Sequence, residues 1–359
     1  MTTLLDMLGC RYPIIQGPIS VLNSPKLVAA ICDAGAFGML AMGFISGLEE
    51  AKRLVKEVQE LTDKPFGSNL SLMNPANEKI LEILADAGIK VVTTSAGSPR
   101  HIYPQIHALG MKGFHVALSL PHAVKATDAG VDGLVASGLE SGGLRSANPE
   151  SSTMVLVPLV VDHVNVPVVA AGGIADSRGY RAALALGAQG VQIGTRFIAS
   201  EESPAPAEWK NAILNCSDGD TRLLPMGNIN VRVIINPKLK EKLDNPNVDL
   251  SQDYNLMNAS QAWNTGDFDL FPAGAGQVSA LIKEIKPVKA IIEEMVSERC
   301  RIFTKKHPPH VIASLLPFVI ARRAPSLTVI LTLNEVKGKN FTAQGRLRRG
   351  NPRQQNSKS

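Results

Sequence analysis

Two turns of small residues sit close together in the middle of the chain. Ala171-Gly172-Gly173 follows the apolar run 166–170, and Gly194-Thr195 follows the apolar run 190–193. Glycine lacks a Cβ, so backbone N–H groups in such turns can come close to an anion and point at it. Two of these turns, one strand apart, can cradle a single phosphate. Other stretches of the same kind end in Gly17-Pro18-Ile19, in Asn69 and Ser71, and in Ser137 followed by Gly142-Gly143. All of these positions are small or uncharged. A site so poor in acids and bases suits an organic cofactor that brings its own chemistry. No HExxH motif or Cys cluster points to a metal.

The elements that would position these residues recur at 20–30 residue spacing. Short apolar runs at 12–17, 37–40, 66–70, 89–94, 112–118, 133–137, 166–170 and 190–193 alternate with helical periodicities. Ser24 with Pro25 reads as a helix start. Eight such units predict an α/β protein, a (β/α)8 TIM barrel, whose binding residues lie at the C-terminal strand ends. An open doubly wound sheet would want a GxGxxG turn at its first strand, which is absent. Residues 138–152 read as a long polar loop, the kind that carries function. The domains expected are a barrel core over 1–200, an insertion over the active end at 201–275, and a closing helix at 276–299 kinked at Pro287. Residues 300–359 read as an atypical basic tail outside the catalytic unit.

The net charge of +5 hides an asymmetry. Residues 301–359 hold 12 of the 37 Lys/Arg and one of the 32 acids, so residues 1–300 are net −6. A nucleic-acid role would rest on the tail alone, and none is expected for the barrel. The tail's apolar pieces are cut by Arg322-Arg323 and Pro325 and are too short to span a membrane. Cys10, Cys32, Cys216 and Cys300 show no ligand spacing and read as reduced thiols. The start MTTLLDMLGCRYP has no basic region or long apolar run, so a cytoplasmic protein without a signal peptide is expected. Nothing in the sequence fixes the oligomeric state.

YPIIQGPI, PFGSNLS, GLESGGLRS, VVAAGGIADSRG and VQIGTRF, in this order over about 1–300, resemble the nitronate monooxygenase family. That family, also known as 2-nitropropane dioxygenase, is related to the FMN-dependent type II enoyl-acyl-carrier-protein reductases. The resemblance implies FMN as cofactor, with NAD(P)H as a possible electron donor and a small-molecule substrate. It puts the FMN phosphate at Gly172-Gly173 and Gly194-Thr195, beside Ala171. Gly17, Pro18 and Ile19 would lie along the ring, Asn69 and Ser71 near its polar edge, and Ser137 and Gly142 on the ribityl and phosphate side.

The chain departs from the family at two positions. Many members carry a histidine after the small residues of the sixth-strand loop, which serves as base for nitronate oxidation. Here that position is Leu144, which cannot transfer a proton. A lysine found at the end of strand five in some members corresponds to Val116. His115, next to it, is expected to turn away from the lumen. His101, His107, His122 and His163 fall on expected helices. Arg145 is expected to bind a carboxylate, a phosphate or the NAD(P)H pyrophosphate; the alternatives are a solvated loop arginine and a pair with Glu140. The implied activity is oxidation of alkyl nitronates or NAD(P)H, with electrons passed to dioxygen or another acceptor. The alternatives are an enoyl-thioester or quinone reductase, and a non-catalytic flavin- or phosphate-binding barrel.

Overall fold

The computed structural model describes residues 3–43, 45, 47–245, 250 and 254–297. The first nine strands are β1 (Ile14–Gln16), β2 (Met39–Ala41), β3 (Gly67–Ser71), β4 (Val91–Ser95), β5 (Lys112–Ala117), β6 (Gly133–Ser137), β7 (Gly143–Ser146), β8 (Val168–Ala171) and β9 (Gly190–Ile193). All but β7 form one parallel sheet in the order β1-β9-β8-β6-β5-β4-β3-β2. Their apolar composition follows from burial on both faces. The sheet curls into a nearly closed barrel. Its seam is a bridge between Ile15 and Phe37, with Gln16 N donating to Phe37 O and Phe37 N to Ile14 O. The Gln16 side chain extends the seam by accepting from Met39 N at 3.0 Å.

The helices are α1 (Leu4–Leu8), α2 (Pro25–Asp33), α3 (Leu48–Leu61), α4 (Asn77–Asp86), α5 (Tyr103–Ala108), α6 (Leu120–Asp128), α7 (Thr153–Val161), α8 (Ser177–Ala185) and the short α9 (Thr195–Ile198). The expected start of α2 is present: Ser24 accepts from Leu27 N, and Pro25 opens the helix. The barrel interior is packed by Ile15, Phe37, Met39, Val91, Phe114, Val135, Val169 and Ala171, together with Leu4 and Leu8 of α1. Gly190 makes room for this plug, since a Cβ there would lie 2.6 Å from Leu4 Cδ2. A second, larger apolar layer joins the outer strand faces to the helices.

Residues 138–152 are not structureless throughout. Gly143–Ser146 forms β7, which pairs antiparallel with β11 (Ile229–Ile234), itself paired with β10 (Thr221–Met226). The loop therefore joins the 201–275 segment by main-chain hydrogen bonds. That segment also holds α10 (Ala207–Asn215), α11 (Pro237–Leu243) and α12 (Ala259–Thr265). Its core comprises Leu224, Val231, Val233, Leu239, Tyr254 and Phe271. The rings of Trp209 and Trp263 pack 5.4 Å apart, and their indoles donate to Gly274 O and Pro272 O.

The single kinked helix expected after residue 276 is also corrected. A 3-10 turn at Gln277–Leu281 is separated from α13 (Val288–Val296) by extended chain. Pro287 is the N-cap of α13 and not a kink inside it. It has no N–H to donate and holds the preceding residue out of helical conformation. The basic tail expected at 300–359 lies outside the described residues.

Candidate active site

The two glycine turns come together at the C-terminal end of the barrel because β8 and β9 are neighbours, with Ala171 opposite Gln192. Gly172 (φ 99°) and Gly173 (φ 72°) are both left-handed, which few other residues tolerate. Asp176 caps α8 behind them by accepting from Arg178 N. Gly17 N donates to Ile193 O at 2.7 Å, and a Cβ on Gly17 would lie 3.1–3.2 Å from Ile193 O and Gly194. The end of β1 thus lies directly against the second turn, with Pro18 and Ile19 half-buried beyond it. A Cβ on Gly194 would meet nothing within 4 Å, and one on Gly173 only Glu140 at 3.7 Å. The amides of Gly172, Gly173, Gly194 and Thr195 donate to no acceptor among the described residues.

Strand alternation sends Asn69, Ser71, Val116, Ser137, Ala171 and Gln192 to the lumen side of their strands, in phase with Phe114, Val135 and Val169. Asn69 donates to Thr93 Oγ1 at 2.9 Å. Ser71 Oγ and Gln192 Nε2 are buried without a partner among the described residues. Orphaned donors at a packed rim are uncommon and point to a ligand group that satisfies them. After β4, Ala96 holds φ 57°, a left-handed conformation that is costly for a residue with a Cβ. The open space at Gly173 and Gly194, the free amides and the orphaned polar side chains fit a ligand with an anionic group and a polar edge.

The sixth-strand loop is fixed from both sides. Gly142 abuts the 275–276 backbone, since a Cβ there would lie 2.6 Å from Ala275 C and Gly276 N. Gly276 N donates to Thr195 Oγ1 at 3.0 Å, and Gln277 N to Glu140 O at 2.9 Å. Glu140 accepts from Thr153 N at 2.8 Å and from its hydroxyl at 3.0 Å, which caps α7. Arg145 is not paired with Glu140. Its guanidinium is 2% exposed and pairs with Glu150, with Nη2 to Oε2 at 2.7 Å. Nη1 donates to Ser137 Oγ and Nη2 to Ser137 O, both at 2.8 Å. The expected substrate-facing arginine is therefore already committed within the protein. Arg232, also buried, donates to Leu139 O and Thr221 Oγ1. Burial pushes its pKa down, and Arg145 nearby adds to this.

Leu144 is opposite Val231 in the β7–β11 ladder and is 38% exposed. Alternation puts it on the opposite face of β7 from Arg145. His115 is on the outer face of β5, fully buried, with Nδ1 2.8 Å from Thr94 Oγ1 and its ring against His122. Burial lowers its pKa to about 4. His101, His107 and His163 are exposed, and His122 is half-buried. Sequence reasoning does not single out Gln192, Ser141 or Gly276. A lone glutamine inside the apolar run Gly-Val-Gln-Ile is a legible signal for the first. Gly276 has no local signal, because its role depends on contact with Thr195.

The family profile described as nitronate monooxygenase matches residues 1–81 and 74–298. The chain belongs to the nitronate monooxygenase family. It is 31% identical over 344 residues to the nitronate monooxygenase of Pseudomonas aeruginosa, covering 81% of this chain and 97% of that protein. It is 33% identical over 213 residues to a hydroxy-methyl-oxo-octahydroindene-carboxyl-CoA dehydrogenase of Rhodococcus jostii, covering 59% of each. Among solved structures, FabK from Thermotoga maritima superposes with a TM-score of 0.75 at 33% identity, covering 88% of this chain and 98% of that one. Nitroalkane oxidase from Streptomyces ansochromogenes superposes with a TM-score of 0.69 at 25% identity, covering 81% and 96%. Family membership makes the chain a flavin-dependent oxidoreductase.

Proposed function

We propose that this enzyme uses FMN held at the C-terminal strand ends to oxidise NAD(P)H or an alkyl nitronate. The observation that carries this reading is the open space at Gly173 and Gly194, with free amides in both turns, beside the orphaned Ser71 and Gln192 side chains. Gly172, Gly173, Gly194 and Thr195 would hold the phosphate by their amides. Gly17, Pro18 and Ile19 would support one face of the ring. Asn69, Ser71 and Gln192 would bond its polar edge, with Ser137 and Gly142 on the ribityl side. Bound there, FMN would supply two-electron redox chemistry between the donor and dioxygen or another acceptor.

The residues of this chain supply position more than proton transfer. At the family's histidine position Leu144 cannot accept a proton, and the described histidines lie on the outer face of β5 or on the helices and turns around the strands. Oxidation of NAD(P)H needs alignment of donor and acceptor and no protein base. It is therefore expected to be faster than oxidation of a nitronate. Similarity to the Rhodococcus CoA dehydrogenase favours a second reading, an enoyl- or acyl-thioester substrate. The purified protein is expected to be yellow. Anaerobic stopped-flow reduction by NADH, NADPH and propyl-2-nitronate checks the ranking. Rapid reduction by the nitronate alone would refute the argument from Leu144.

A further inference from the structure

A hydrogen-bonded chain leads from the buried Arg145 to the first glycine turn. Arg145 Nη1 donates to Ser137 Oγ at 2.8 Å, and Ser137 Oγ is 2.9 Å from Ser141 Oγ. Ser141 Oγ is in turn 2.6 Å from where a Cβ of Gly172 would lie. The protons on this chain can be counted. Arginine has donors only, so Ser137 must accept from it. The two hydroxyls carry two protons, and one of these makes the Ser137–Ser141 link. The other is left over and has no protein acceptor among the described residues. When Ser137 makes the link, the spare proton is on Ser141, whose Oγ is the hydroxyl beside Gly172.

We infer that Ser141 is a phosphate-binding donor and that Arg145 is its positioning residue, acting through Ser137. This rests on the FMN reading above and deepens it: the serine pair would join the backbone amides as a side-chain donor to the phosphate. Arg145 polarises Ser137, Ser137 donates to Ser141, and Ser141 donates to the anion. Chains of this kind strengthen each bond along them. Glu150 holds the guanidinium at Nε and Nη2, which fixes its approach to Ser137. Glu140, 3.7 Å from where a Cβ of Gly173 would lie, is engaged by the Thr153 amide and hydroxyl at the start of α7. The buried ion pair thus orients a donor towards Gly172 without touching an anion there.

The test compares FMN with riboflavin, which lacks the phosphate, by equilibrium titration of flavin-stripped full-length protein. Ser141→Ala removes the terminal donor at a half-buried position where truncation is mild. It is expected to weaken FMN about tenfold and leave riboflavin unchanged. Arg145→Met with Glu150→Met removes the ion pair as a unit, which leaves no unpaired buried charge. It is expected to weaken FMN to a similar extent, and adding Ser141→Ala should then have little further effect. Equal losses for both flavins, or additive losses in the combined variant, would overturn the assignment. So would a Ser141→Ala protein that keeps the FMN preference of the parent. A parent protein that binds neither flavin would instead refute the FMN reading on which the inference rests.

Discussion

His115 shows how one buried residue ties stability to pH. Its pKa in the folded protein, about 4, is below the ordinary histidine value because the ring is buried against Thr94 and His122. The folded state therefore resists a proton that the unfolded chain accepts below about pH 6.5. Stability is at its full level above that value and is lost as pH falls from about 6.5 towards 4. The total loss is about 3 kcal/mol. Urea unfolding at pH 7.5 and pH 4.5 should show this decrease, and His115→Gln should flatten it even if it costs stability at both values. That His115 faces outward is legible from strand alternation in the sequence. That Arg145 faces inward is not, because nothing in residues 143–146 predicts a strand. An arginine in a polar loop and an arginine in a strand have different partners, and here β7 directs the guanidinium to Ser137 at the end of β6 and to Glu150.

At the scale of elements, the two glycine turns look alike in sequence but differ in structure. Gly172 is left-handed, and a Cβ there would clash with Ser141 Oγ at 2.6 Å. Gly194 has an ordinary φ of −108° and open space where a Cβ would go. Gly172→Ala is therefore expected to destabilise the fold by roughly 1–3 kcal/mol. Gly194→Ala should leave the thermal midpoint within about a degree while lowering flavin retention after dialysis. Calorimetry together with the flavin-to-protein absorbance ratio separates the two effects. The barrel strands are readable because each is a short apolar run bounded by a helix. β7 is not, because Gly-Leu-Arg-Ser has no apolar alternation and becomes a strand only by pairing with Ile229–Ile234. The break before α13 reads as a kink because helical periodicity carries across Pro287. The extended chain there is fixed instead by a bridge between Ser200 and Lys286.

For the whole molecule, residues 1–300 form one compact unit and carry a net charge of −6, against +11 for the remainder. A chain ending at residue 300 is expected to keep the thermal midpoint and flavin content of the full protein. Its apparent isoelectric point should move from basic to acidic. Differential scanning calorimetry and isoelectric focusing would check both, and loss of flavin on truncation would show that the tail serves the barrel. The number of βα units is visible from one end of the barrel to the other. How the 201–275 segment meets it is not, since that depends on Gly142, Thr195 and Gly276 touching across long stretches of chain.

The seam of the barrel has a consequence for how the chain is made. β1 is among the first residues to leave the ribosome, yet one of its two neighbours is β9, near residue 190. Its other neighbour, around Phe37, offers only a short bridge and the Gln16 side chain. At ordinary elongation rates β1 waits on the order of ten seconds or more for β9. During that time the apolar edge of a half-built sheet is exposed to other nascent chains. Leu4 and Leu8 of α1, which finally plug the barrel floor, are exposed over the same interval. The yield of this enzyme in a cell is therefore expected to depend on protection of its first strand during synthesis as well as on the stability of the finished barrel.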